Sequence, residues 1–585
     1  MDRDTTLRML AAVALSIGVY VVWFQLFVAP NRQLEDDRAR PPAEGPVDPR
    51  GWAADETLPS ESLPTESLPG DEAAAAAADS IEGPAGQPPF DVVTPKLELK
   101  LSARGGRIVN ARLADFELVP GDKESGLVDL VSPEARRLDR HPLTILHPDP
   151  ELERRINEAW FAVEREAPDP ARLAELGLPE ATEQIVFRWS DGAGLEAEKT
   201  LLVPQDESYL MHVDWALRRF GAPVTEARLS FGPSLKRESE DQNKNRYSYR
   251  GFAVVAGPYG VDRYAPDKID VPLRHGPEDA PRWAALDSQY FAVALIAEGK
   301  TPVDVLPVDV TSPDGEPTRE LALAAAEGPL FLFCGPKSVR LLREIDDSRG
   351  LDLSQLVDWG FFGVLARPLH IALAYIHDVV GNWGVAIVLL TFVIKVLFFP
   401  LTQRAMVNMR KTQERMGKLQ PKMRKIKEKY RDKKDMESRR KMQEDMMGLY
   451  KAEGVNPMAP IAGCLPLLLQ LPVLYGMYTL LTVVIDLRGA PFFGWIRDMS
   501  SADPYLITPL VMGVTMLGQQ LLSLAKVEDP QQKAQQRMML LMPVMFTYFF
   551  IWLPSGLVLY WLTNNVLGIA QQLLINRQAA AERAS

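Results

Sequence analysis

The chain has 585 residues, a net charge of −12, 46% apolar residues and 24% charged residues, a length that corresponds to three or four domains of ~150 residues. The averages resemble those of a soluble protein, yet charge is missing from several long windows and concentrated between them, which excludes a single uniform soluble domain. Two cysteines, Cys334 and Cys464, exclude a disulfide framework and a cysteine-built zinc site.

Uncharged runs cover Met9–Asn31, Gly454–Ile485, Pro504–Ala525 and Met538–Asn576, and Val379–Gln403 is broken only by Lys395. Each is long enough for a membrane helix of ~20 residues, and the last for a hairpin of two.

In chain order, Arg3 and Arg8 precede an apolar stretch that exceeds the ~7–15 residues of a cleavable signal and is followed by no small-x-small site. Residues 1–30 therefore read as an uncleaved signal-anchor helix with its N-terminus in the cytoplasm. Residues 31–90 carry net charge −9, are rich in Pro, Ala and Glu, and hold the imperfect repeat ETLPS-ESLPT-ESLPG from Glu56 to Gly70; such composition predicts an extended linker. From Lys96 the texture becomes alternating, with Leu97, Leu99 and Leu101 on one side and a Gly105-Gly106 turn after them. Similar segments recur at Ile185–Trp189, Leu210–Trp215 and Ser288–Ala297, predicting a β-rich domain over 91–352. No nucleotide loop, no nucleophile–base pair and no metal-type clustering of His141, His147, His212 and His275 is visible there, so a structural or partner-binding domain is expected rather than an enzyme.

Residues 353–585 form the membrane part. Over 357–380, Phe361, Leu365, Leu369, Ala372, Leu373, Ile376 and Val380 make a helical stripe that Pro368 should start or kink. It predicts an interfacial helix at the outer surface, with a soluble linker helix as the alternative. Spans are expected at 381–402, 458–485, 504–525, 538–553 and 557–576. Between the first two, residues 404–453 hold 17 Lys/Arg against 8 Asp/Glu. There Met409, Met416, Leu419, Met423, Ile426 and Tyr430 share a helical rhythm, continued by Met442, Met446 and Leu449, which predicts an antiparallel helical hairpin with Pro421 kinking its first arm. Its methionines suit either the hairpin seam or a surface that accepts varied apolar partners; its basic residues suit anionic lipid, ribosomal RNA or a solvated cytoplasmic loop. The positive-inside rule puts this segment in the cytoplasm and the large domain outside. The later loops agree, at −1 for 486–503 and +1 for 526–537. Six spans result, with both termini cytoplasmic.

A lysine near a helix centre costs ~2.5–3.5 kcal/mol on insertion scales. Lys395 either snorkels toward the cytoplasm or faces a polar cavity. Thr391 and Thr402 share its helix face, Gln470 lies in the next span, Gln519 and Gln520 in the fourth, and Tyr560, Asn564 and Gln571 recur at helical spacing in the last. Single amides often only hold helices together; several polar stripes with one cation and no acid point to a positively charged groove. The absence of buried acids and internal repeats argues against an ion-coupled transporter, and the absence of protease motifs and a P-loop against those activities.

GNWGVAIVLLTFVIKVLFFPLT (381–402), LQPKM (419–423), LYKAEGVNPM (449–458), CLPLLLQLPVLYGMY (464–478) and LPSGLVLYW (553–561) together resemble the YidC/Oxa/Alb family of membrane protein insertases, in its Gram-negative form. The resemblance implies an inner-membrane protein with a five-helix core, an anchor helix and a periplasmic β-sandwich. It implies a hydrophilic groove open to the cytoplasm and lipid and closed outside, with the family's groove arginine falling on Lys395 and its threonine on Thr391. The family's aromatic pair falls on Tyr560 and Trp561, the second departing from the usual tyrosine. With Thr402, Gln470, Gln519 and Asn564 these residues make the expected groove. The hairpin is implied to receive substrates and to meet the ribosome and signal-recognition machinery. The implied function is insertion and chaperoning of nascent membrane proteins, alone or with the Sec translocon, amid membrane lipids, with no catalytic residue, cofactor, metal or DNA. A small-anion transporter or channel using the Lys395 groove is the alternative, and a scaffold for the outer domain a third.

Overall fold

The structure, a computed structural model, describes residues 81–584 apart from 82, 234, 236–250, 258–259, 276–280, 298–300, 312–316, 431–434, 453–464 and 524–529. The expected anchor helix and almost all of the linker lie outside the described residues. The chain divides into two compact units at Val357/Asp358.

The first unit is built of antiparallel sheets. Phe90–Val93, Leu97–Ser102, Arg107–Val119 and Asp122–Asp129 form a four-stranded meander. Leu97, Leu99 and Leu101 all point to its buried face, as period-2 alternation requires. Gly105 and Gly106 turn the chain at φ 72° and 52°, a region open to glycine at little steric cost. The ten-stranded sheet runs Gly260–Tyr264, Phe252–Gly257, Trp283–Asp287, Phe291–Ala297, Leu330–Pro336, Leu210–Arg219, Leu195–Pro204, Thr182–Ser190 and Ala162–Glu166, with Ala222–Pro223 beside Leu210–Arg219. A third sheet orders Val303–Thr311, Pro317–Ala325, Arg228–Phe231 and Thr144–Leu146. Pro317–Ala325 packs on Phe252–Gly257 and Trp283–Asp287. Every residue of Trp283–Asp287 and of Leu330–Pro336 is buried, so these strands are covered on both faces and read as apolar runs.

Several buried charges described in this unit are paired within it. Lys199, 1% exposed, donates to the carbonyls of Gly105 (2.6 Å), Gly106 (3.2 Å) and Leu143 (2.6 Å). Burial, reinforced by the Arg107 guanidinium, pushes its ammonium down to about 7. Asp287 takes both Lys337 and Arg263 at 3.2 Å. The Cys334 thiol is free, and burial pushes it up to about 12.

The second unit is helical: α1 (Gly363–Val380), α2 (Trp383–Lys429), α3 (Met436–Ala452), α4 (Leu465–Val483), α5 (Ile507–Ser523), α6 (Pro530–Phe550) and α7 (Ser555–Ala584). Among the described residues, Trp383–Arg404 is long and apolar enough to cross a membrane, and Ile507–Leu522 is a shorter apolar helix. Gly381, at φ 69°, ends α1. Asn382 then caps α2 by accepting the Val385 N–H at 3.0 Å, in the manner expected of an N-cap asparagine. The His377 ring stacks on Trp383 at 3.9 Å across this turn.

Of its two expected roles, Pro368 takes a place inside α1 rather than at its start. Phe361 and Val380, the ends of the expected stripe, are exposed, and the buried face is Ala366, Leu369, His370 and Leu373. The expected span 381–402 and the hairpin's first arm are one helix of 47 residues that passes through Pro400 and Pro421.

Candidate functional site

Helix α7 is the axis of the candidate site. Tyr560, Asn564 and Gln571 lie on one of its faces, at helical spacings of 4 and 7, and each meets another helix. The buried Tyr560 hydroxyl accepts from the Gln470 amide of α4. The Lys395 ammonium of α2 donates to Asn564 Oδ1 at 2.9 Å. Gln571 Nε2 donates to Thr402 Oγ1 at 3.1 Å and to Gln403 Oε1 at 3.4 Å. The last two rungs are seven residues apart on both helices, so α2 and α7 run parallel and in register, with ~10.5 Å between rungs at 1.5 Å per residue.

Other expected groove residues are placed differently. Thr391, buried one turn before Lys395, donates to the Ile387 carbonyl of its own helix at 2.6 Å. Gln519 lies against Gly568, where a Cβ would fall 2.4 Å from its Nε2. Trp561 does not join the rungs: it packs against Phe546 (6.2 Å) and Phe550 (5.6 Å) of α6. Gln403 and Asn565 are additional polar contacts that the sequence pattern did not single out. Asn565 is buried and donates to the Met512 carbonyl of α5 at 3.4 Å; the Asn564-Asn565 doublet was its one sequence signal.

Lys395 is half-buried and its hydrogen-bond partner is neutral. Among the described residues no carboxylate lies within ion-pair distance of it. A cation held by an amide oxygen keeps most of its attraction for an anion, and more so where the surroundings are poor in water.

The other side of these rungs from the hairpin is apolar. Ile387, Leu390, Met477, Leu480, Leu481, Leu557 and Val558 are buried and form an apolar layer. Beyond it, residues 484–506 are tied to the helix ends. Asn382 Nδ2 donates to the carbonyls of Pro491 (3.2 Å) and Phe492 (3.3 Å). Ser555 N–H and Oγ reach the Ser501 carbonyl at 2.7 and 2.8 Å, and Gly556 N–H reaches Met499 O at 3.0 Å. Asp503 accepts from Trp495 Nε1 (3.0 Å), Tyr505 N–H (2.9 Å) and the Thr508 N–H and hydroxyl (both 2.7 Å). Burial pushes this carboxyl up, but those donors outweigh it and hold the group below its usual range.

The hairpin closes through Leu419 and Met423, packed on Met446, Leu449 and Tyr450. Lys429 Nζ and the Tyr430 hydroxyl both reach Asp445 at 3.0 Å, which fixes the antiparallel pairing of α2 and α3. Ile426 and Met442 are half-buried outside that cluster, while Met436 and Met447 are exposed. The side chains of Met409 and Met416 lie outside the described residues.

The YidC periplasmic domain family matches residues 90–372, and the 60Kd inner membrane protein family matches 375–582. The membrane protein insertase YidC of Alkalilimnicola ehrlichii is 34% identical over 512 residues, 84% of this chain and 83% of that one. This chain belongs to the YidC membrane protein insertase family. The YidC of Geobacter sulfurreducens is 35% identical over 428 residues, 69% of this chain and 73% of its own. That of Vibrio cholerae is 35% identical over 394 residues, 65% and 68% of the two chains. A crystal structure of an active YidC insertase aligns at 19% identity with a TM-score of 0.35, over 84% of this chain and 93% of that one. The resemblance drawn from the motifs is therefore established, and the β-rich N-terminal and helical C-terminal regions match its outline. YidC membership places the chain in the inner membrane with a periplasmic domain.

Proposed function

We propose that this chain inserts and chaperones nascent membrane proteins through a groove along α7 that centres on Lys395. The observation that carries the reading is the Lys395–Asn564 rung, a membrane-helix cation held at 2.9 Å by a neutral amide. A polar outer segment of a nascent chain loses hydration when it crosses a bilayer, and an acidic one loses most. A polar groove shortens that passage, and an unneutralised ammonium draws a carboxylate into it. Burial of the following ~20 apolar residues in lipid drives the step to completion. No covalent step is involved, so the chain acts as an insertase rather than an enzyme.

In this reading residues 1–30 are an anchor, α2 and α4–α7 supply five spans, both termini are cytoplasmic and the β-rich unit is a periplasmic β-sandwich. Thr391, Thr402, Gln470, Gln519, Tyr560, Trp561 and Asn564 line or support the groove. The basic hairpin, with Met409, Met416, Leu419, Met423, Ile426, Met442 and Met446, receives substrates from the ribosome and signal-recognition machinery. The chain works alone or beside the Sec translocon. The excess of +9 over residues 404–453 supports this orientation.

The test is insertion of a two-span protein with an acidic loop into liposomes that contain only the purified full chain, scored by protease protection of the loop. Protection above empty liposomes that falls with Lys395→Met is expected. No protection from folded, correctly oriented protein would overturn autonomous insertion.

A further inference from the structure

Gln571 carries a polar atom that the reading above leaves unused. The residue is 4% exposed, and its Nε2 is committed to Thr402 and Gln403, which sets the direction of the whole amide. Its Oε1 is buried and has no donor among the described residues. A buried amide oxygen without a donor is costly and calls for an explanation. Two other buried polar atoms in this unit are also without a hydrogen bond. Trp561 Nε1 sits in the aromatic packing of α6, and His370 Nε2 lies 3.9 Å from Asp486. Neither shares the face of Tyr560 and Asn564. Gln571 does, and it belongs to the rung next to Lys395.

We infer that Gln571 is a second recognition point of the groove, accepting a backbone N–H from a substrate whose carboxylate is held by Lys395. The inference rests on the insertase reading of the Lys395 groove and adds the substrate's conformation to it. The two rungs are seven residues apart on parallel helices, ~10.5 Å at the helical rise. An extended chain covers that distance in about three residues at ~3.4 Å each. A segment with its carboxylate at Lys395 thus presents the N–H of the third residue along to Gln571. Substrate reaches Oε1 by displacing the side chains that cover it while Nε2 keeps its bonds to α2, and the N–H supplies the missing donor. A backbone contact suits an insertase because it demands no particular side chain; it excludes only proline, which has no N–H to give.

With an acidic N-terminal tail leading outward, and α7 running toward the cytoplasm, the residue at Gln571 lies three positions C-terminal to the acid. The test uses the full chain in liposomes and single-span proteins with one Asp in a short N-terminal tail. Proline is placed three or five residues after the Asp, with alanine at both sites as reference. Proline at the third position should lower tail protection about threefold, the size of one ordinary hydrogen bond, and proline at the fifth should not. Gln571→Met should erase this difference while keeping dependence on the Asp. Thr402→Val, which removes one of the two acceptors of Gln571 Nε2 but leaves its oxygen, should retain the difference, as a purely structural role for the rung would not. Equal effects of proline at the two positions, or the same difference in Gln571→Met, overturn the inference. Insertion independent of the Asp and of Lys395 overturns the groove reading itself, and this inference with it.

Discussion

In the proposed groove, Lys395 stands where the resemblance implies an arginine. A guanidinium grips a carboxylate with two parallel N–H donors, whereas an ammonium is a point charge on a flexible stem. Attraction to a carboxylate needs the charge but not the fork, so Lys395→Arg should retain insertion of acidic-loop substrates. Lys395→Met should lower it about tenfold, in line with the loss of one charge-assisted hydrogen bond. Substrates with neutral loops should be little affected, and protease protection of paired substrates measures both. The periplasmic Lys199 makes a different prediction. Its folded-state value, about 7, lies below the 10.5 of a free lysine side chain. Between those values the unfolded chain binds more protons than the folded one, so the penalty for charging this buried lysine fades as pH rises, and stability grows. The melting temperature of the β-rich unit should therefore climb from pH 7 to pH 9. Lys199→Met should flatten that climb and lower stability at pH 7, because the carbonyls of Gly105, Gly106 and Leu143 lose their donor. An unchanged slope in the variant would assign the pH dependence to other groups.

At the scale of elements, the outer loop and the start of α2 depend on glycine. A Cβ on Gly384 would sit 2.0 Å from the Phe492 ring, too close for any rotamer adjustment to leave the loop in place. Gly384→Val should displace Phe492 and raise proton leak through proteoliposomes several-fold, read with an internal pH dye. Wild-type leak in the variant would mean that the apolar layer around Ile387 and Leu557 seals without the loop. Such devices are hard to read from sequence, since a glycine's neighbour 108 positions away is invisible until the helices are packed. Periodicity was legible where one face is buried: the alternation of Leu97, Leu99 and Leu101, and the hairpin seam of Leu419, Met423 and Met446. Phe361 and Val380 fit the stripe of the expected interfacial helix and are exposed, while Ala366, Leu369, His370 and Leu373 are buried. At Pro421 the missing N–H argues for a kink, and α2 continues through it as one helix. For the candidate site, a polar residue inside an uncharged run stands out at once. That Lys395 meets Asn564, 169 residues later, follows from the parallel packing of two helices, which periodicity within either one does not encode.

Across the whole molecule, charge is sorted by segment: −13 over 91–356 and +9 over 404–453. Basic residues near a span resist translocation, while acidic ones contribute little to orientation, so the hairpin's excess outweighs every other loop in setting the proposed topology. Two exposed positions test it. Phe220, 67% exposed in the β-rich unit, and Met436, 84% exposed at the start of α3, are each replaced by cysteine in the full chain with Cys464→Ser. The buried Cys334 thiol, pushed up to about 12, reacts poorly because the thiolate is the nucleophile. Phe220→Cys should react with a membrane-impermeant maleimide in spheroplasts, and Met436→Cys only after the membrane is opened. Labelling of Met436→Cys from outside would place the basic hairpin in the periplasm, where neither ribosome nor signal-recognition machinery could reach it, and the proposed route of substrates from hairpin to groove would have to be abandoned.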